Sequence, residues 1–166
     1  MEKRWICLFV ENEIGVLARI SGLFSSKSYN IESLTVGTTE DPTISRMTIS
    51  MISDDKTFEQ IKKQLNRSVE VIKVVDYTTV QTHMKEILYI KVYSLTDKDK
   101  TEIFRLAQVY NLKILDYNKN SVIIEWTEIE SKIDEMIEMF KSTFLNRVEV
   151  VRGGSVAIEA IGISNR

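Results

Sequence analysis

The chain has one cysteine, Cys7, one histidine, His83, and one proline, Pro42, among 166 residues. A single thiol has no partner for an intramolecular disulfide. Set within the apolar run Trp5 to Val10, it reads as a small core hydrophobe, which fits a reducing compartment. A serine or cysteine nucleophile usually needs a base beside it, and the only imidazole lies in what reads as a linker, so hydrolysis of that kind has no base. No Cys/His pair has zinc spacing, and the glycine patterns that cradle nucleotides are missing. Charge of one sign is lacking too. With 22 basic and 24 acidic side chains interspersed and a net charge of -2, there is no basic field for a phosphate backbone, which argues against nucleic acid as a partner. The strand Ile44 to Ile52 also lacks the aromatics on which an RNA-binding sheet stacks bases. No apolar run approaches membrane-spanning length, and the run after Met1-Glu2-Lys3-Arg4 is too short for a secretory signal core. The expectation is a cytoplasmic protein with no membrane segment and no catalytic machinery of its own. Glu11 with Glu13 reads as a pair of helix-dipole partners, and Asp97-Lys98-Asp99-Lys100 as a solvated helix start.

What is present is a compactly folding chain, 43% hydrophobic, with a repeating order of elements. The pattern predicts a strand over 5–11, then a helix near 15–27 with Val16, Leu17, Ile20, Leu23 and Phe24 on one face. A second strand over Tyr29 to Val36 and a third over Ile44 to Ile52 flank the turn at Pro42. Asp54 or Asp55 caps a second helix carrying Phe58, Ile61 and Leu65, and Val69 to Val74 closes a βαββαβ unit. The second half follows suit. A strand over Ile87 to Tyr93 precedes a helix with Ile103, Phe104 and Ala107 inward, a hairpin from Asn111 to Trp126, and a helix marked by Ile129, Ile133, Ile137 and Phe140. Tyr29-Asn30-Ile31 echoes Tyr110-Asn111-Leu112, and Asn66 to Val71 echoes Asn146 to Val150. The fold class expected is α+β: two ferredoxin-like modules, residues 1–78 and 79–166, joined near Thr78 to Lys85. Trp5, Cys7 and Phe9 share one face of the first strand while Ile6, Leu8 and Val10 share the other. With both faces apolar, a second sheet is expected to cover the bare side, from another copy or from the chain's own second half.

The most informative stretch runs from Glu11 to Ile20. Polar Asn12-Glu13 and Gly15 break an apolar run just before helical periodicity begins. The first amides of a helix have no internal acceptor and the dipole is positive there, so a carboxylate or phosphate can dock at this point, with Gly15 removing the Cβ that would hold it off.

Glu11-Asn12-Glu13-Ile14-Gly15-Val16-Leu17, Gly22-Leu23-Phe24, Tyr29-Asn30-Ile31-Glu32-Ser33-Leu34-Thr35-Val36 and Asp41-Pro42-Thr43-Ile44-Ser45-Arg46-Met47-Thr48-Ile49 together resemble the small, regulatory subunit of acetolactate synthase. The likeness is strong over the first 78 residues and resumes more weakly at Lys85 to Val92. The resemblance implies that the first module is an ACT domain, that the chain activates a separate catalytic large subunit and confers feedback inhibition by valine or other branched-chain amino acids, and that the chain is a homodimer. It implies no cofactor in this chain, thiamine diphosphate, FAD and magnesium belonging to the catalytic partner. By the same resemblance valine binds where two ACT domains meet, at Asn12, Gly15, Val16 and Leu17 of one chain with Asn30 and Ile31 of the other. Arg46 is expected to contact the large subunit. Read without the resemblance, Asn12 caps the helix, Asn30 is a turn residue, and Leu17 and Ile31 are core. The alternative assignment is a free-standing ACT-type amino-acid sensor with another partner. The chain departs from the family at Ser28, where glycine is usual, and in its closing segment Val156 to Ser164, where the family is rich in glycine, serine and arginine.

Overall fold

The computed structural model describes residues 1–162. The element order is β1 (Glu2–Glu11), α1 (Val16–Ser26), β2 (Ser33–Thr38), β3 (Ile44–Ser53), α2 (Asp55–Leu65), β4 (Val71–Asp76), β5 (Thr82–Tyr93), α3 (Asp97–Tyr110), β6 (Lys113–Tyr117), β7 (Ser121–Glu128), α4 (Glu130–Thr143) and β8 (Val148–Glu159). This is βαββαβ twice, in an α+β fold. The chain divides into two compact units, Met1–Met84 with the described residues 156–162, and Lys85–Ser155. Among the described residues no helix is long and apolar enough to cross a membrane.

Each unit holds one four-stranded sheet, ordered β2-β3-β1-β4 in the first and β6-β7-β5-β8 in the second. In the first, Ile6, Leu8 and Val10 of β1 stand opposite Ile49, Met47 and Ser45 of β3, so the even positions of β1 and the odd positions of β3 share a face. Both helices cover that face. Val16, Ile20 and Phe24 of α1 and Phe58, Ile61 and Leu65 of α2 recur at helical spacing and join the strand residues in one core. The second unit repeats the plan with Leu88, Ile90, Val92, Val122 and Ile124 under Ile103, Leu106, Ile133, Met136 and Phe140.

Several local expectations are corrected. Leu17 does not join the core face of α1; it is 43% exposed beside fully buried Val16. Phe104 does not point inward. Leu106 takes that place, and the Phe104 ring lies at the sheet margin against Tyr117, centroids 5.7 Å apart. His83 is part of β5, and its side chain is exposed, rather than belonging to a linker. The second strand begins at Ser33, four residues later than expected, because Ser28 adopts φ 58° and the Tyr29 amide turns back to the Phe24 carbonyl. The same closure recurs after α3, where Asn111 has φ 54° and the Leu112 amide reaches the Ala107 carbonyl. The structural counterpart of Asn111 is therefore Ser28, and the sequence echo that aligns Asn111 with Asn30 is displaced by two positions.

The face of the first sheet opposite the helices is only partly bare. Cys7 is fully buried there beneath Arg46, whose Nε donates to the Cys7 sulfur at 3.2 Å and whose Nη2 donates to the Tyr77 hydroxyl. The guanidinium lies between the Phe9 and Tyr77 rings, 5.3 and 5.8 Å from their centroids.

Candidate functional site

Residues 12–15 carry the chain from β1 into α1. The Asn12 backbone amide donates to the Thr43 carbonyl at 2.7 Å, its side-chain amide donates to the Pro42 carbonyl at 2.9 Å, and its amide oxygen accepts from the Ser45 hydroxyl at 2.9 Å. Asn12 thus ties the loop to the turn between β2 and β3 and does not cap the helix. That turn is itself braced by Asp41, whose carboxylate accepts from the Thr43 hydroxyl and amide, bonds that hold its carboxyl below the usual range.

The N-cap position of α1 belongs to Gly15, in the left-handed region with φ 87°, ψ -8°, and no side chain caps the helix. No acidic residue stands in the first turn. The Val16 amide turns back to the Glu13 carbonyl at 3.4 Å, while the Leu17 and Ala18 amides have neither an internal acceptor nor a side-chain substitute for one among the described residues. Val16 has its side chain in the core and its amide on Glu13, whereas Leu17 is half-exposed and Ile14 is fully exposed at the loop tip. Arg19 reaches back across this start. Its Nη1 lies 3.1 Å from where a Cβ on Gly15 would stand, and its Nε pairs with Glu70 at 2.5 Å. Sequence reasoning missed Arg19, because four residues along a helix bring it over the first turn only once Gly15 fixes where that turn begins.

The second unit shows the same corner closed. At the start of α3, Thr96 accepts from the Asp99 amide while the Asp99 carboxylate accepts from the Thr96 amide at 2.8 Å and binds Arg147 at 2.8 Å. A helix start, a carboxylate and an arginine meet there within one chain. At α1 the helix start and an arginine are present, and no carboxylate of the first turn fills the gap.

Within one chain the expected ligand residues do not meet. Asn12 is tied to residues 42–45, at the start of β3, whereas Asn30 lines a cavity with Ser53 at its end. The two ends lie roughly 30 Å apart along the strand. Asn30 is exposed, and Ile31 is half-buried against the core. Arg46 is not free on a solvated face but engaged by Cys7, Phe9 and Tyr77. Of the divergent closing segment, Val156 to Glu159 are the end of β8, and Ile163 and Ser164 lie outside the described residues.

Comparison with known proteins gives two family matches in series. The family described as "AHAS small subunit-like ACT domain" matches residues 6–73, and "Small subunit of acetolactate synthase" matches residues 85–161. The acetolactate synthase small subunit of Aquifex aeolicus is 41% identical over 158 residues, 95% of this chain and 81% of that one. The probable small subunit of Archaeoglobus fulgidus is 42% identical over 94% of this chain and 96% of its own. Among solved structures, the acetolactate synthase small subunit from Thermotoga maritima superposes with a TM-score of 0.87 at 35% identity, covering 98% of this chain and all of that one. Two family matches in order and relatives alike from end to end leave one assignment: this chain belongs to the acetolactate synthase small subunits, the regulatory, non-catalytic subunits of that enzyme.

Proposed function

We propose that the chain activates a catalytic large subunit, which carries thiamine diphosphate, FAD and magnesium, and transmits feedback inhibition by valine or a related branched-chain amino acid. The first module, residues 1–78, senses the effector as a homodimer, and the second, residues 79–166, completes the subunit. The observation that carries this reading is the uncapped start of α1 at Gly15. Open amides, a left-handed glycine and the Arg19 guanidinium suit a small carboxylate, and half-exposed Leu17 offers a wall to an aliphatic side chain.

A second copy supports the completion of that site. β2 is an edge strand whose sequence, Ser-Leu-Thr-Val-Gly-Thr, contains no charge to deter pairing. Two copies joined antiparallel through β2 bring the end of the sheet that carries Asn30 and Ile31 in one chain toward the end that carries Asn12 to Leu17 in the other. The two half-sites, apart within a chain, then adjoin. The sheet face around Arg46 is our assignment for the large-subunit contact. An effector bound across two copies acts by favouring one arrangement of the whole enzyme over another, and only by its difference in affinity for the two. Mixing the chain with a purified catalytic large subunit and measuring acetolactate formation tests this. Activity should rise on adding the chain and fall again with valine, and no change on either addition would remove the regulatory reading.

A further inference from the structure

The first unit has another concavity, at the opposite end of its helix layer from Gly15. The last turn of α1 and the first turn of α2 part over the end of β3 and leave a cavity of about 320 Å³ whose lining includes Lys27, Asn30, Met51, Ser53, Asp54 and Ile61. Met51 and Ile61 are core residues and give it an apolar floor. Ser53 is the anomaly. It follows Met47, Ile49 and Met51 on the helix-facing side of β3, is 4% exposed, and its hydroxyl has no hydrogen-bond partner among the described residues. Buried hydroxyls are nearly always paired, and one left unpaired on a cavity wall marks a place where something else supplies the partner.

The second unit has a concavity at the corresponding point, which shows the difference. Counted from the helix N-caps Asp54 and Ile129, the positions of Ser53, Thr57 and Ile61 correspond to those of Glu128, Lys132 and Met136, and all three of the latter line a cavity of about 650 Å³. There the residue in Ser53's place is fully engaged. Glu128 pairs with Lys85 at 2.8 Å and Lys132 at 3.6 Å and accepts from the Ile129 amide. The fold builds the same cleft twice, and of these two positions it is the buried Ser53 hydroxyl that has no partner among the described residues, while partly exposed Glu128 is engaged.

We infer that the cleft of the first unit binds a free α-amino acid with an aliphatic side chain, the Ser53 hydroxyl pairing with the ligand. Lys27 and Asp54 supply the opposite charges that a zwitterion requires, and the Asn30 amide both donates and accepts. Met51 and Ile61 receive the side chain. Asp54 is held in place as the α2 cap by the Thr57 amide at 2.8 Å and hydroxyl at 3.0 Å, which keep it ionised and leave lone pairs for an ammonium group. The site lies within one chain, away from that chain's own α1 start, and shares Asn30 with the interchain site proposed above. It rests on the reading of the first module as an amino-acid sensor and gives that sensor a second seat.

Calorimetric titration of valine, leucine and isoleucine into the full chain and into Ser53→Ala and Gly15→Ala tests the inference. The expected result is two binding events per chain, one weakened at least tenfold by Ser53→Ala and the other by Gly15→Ala. Thermal melting without ligand checks the fold: Ser53→Ala deletes an unpaired hydroxyl and should melt no lower than the parent, whereas its ligand-induced rise in Tm should shrink. A single event that Gly15→Ala removes and Ser53→Ala leaves untouched means that Ser53 meets only water, and overturns the second seat while the regulatory reading stands. No binding of any of the three amino acids to the parent overturns both.

Discussion

Gly15 and Asp99 sit at the starts of the first helices of their units and behave oppositely. Gly15 holds φ 87°, where an added Cβ would lie 3.1 Å from Arg19. Gly15→Ala should therefore cost about 1 kcal/mol through left-handed strain alone, seen as a fall of about 4–8 °C in the melting temperature of the unit, together with loss of effector binding at α1. Asp99 is the acid-sensitive counterpart. Hydrogen bonds from Arg147 and then the Thr96 amide hold its carboxyl well below the usual carboxylate range. Glu128 is pulled down to about 2, first by Lys85 and then by the Ile129 amide. Both folded pKa values are depressed, so their stabilisation is complete above the unfolded carboxylate range near 4 and is lost as protons bind on the way down. Denaturant titrations followed through Trp126 should show the second unit weakening from about pH 5 toward 2. Asp99→Asn should flatten that slope and leave stability at pH 7 lower than the parent's.

Among the elements, β2 carries the consequence for assembly. An uncharged edge strand with Val36 nearly half-exposed invites pairing, so Val36→Lys should shift sedimentation toward monomer and weaken valine inhibition together. The helices and most strands were legible in the sequence because burial of one face imposes a period, 3.6 for α1 with Val16, Ile20 and Phe24, and 2 for β3 with Met47, Ile49 and Met51. What the period cannot do is choose between adjacent apolar residues, hence the errors at Leu17 and Phe104. It is also blind to backbone handedness. Ser28 in the left-handed region delays β2, and Gly15 in the same region takes the N-cap position from Asn12 and frees it to bind the β2–β3 turn. Arg19 and Ser53 were illegible for a related reason. Neither is unusual in the sequence, and each becomes informative only through what the folded backbone brings near it or withholds from it.

For the whole molecule, the family assignment and the physical reading meet on the first unit. Several charged groups there are paired or capping, as Asp41, Asp54, Arg19 and Glu70 are, and the first sheet's centre is occupied by Cys7 beneath the Arg46 guanidinium. That thiol is 0% exposed. Any soluble oxidant or alkylating reagent must wait until the sheet parts and Arg46 lifts away, so the rate at which the sulfur reacts is a built-in clock for opening of the first unit, and any ligand that tightens the unit slows the clock.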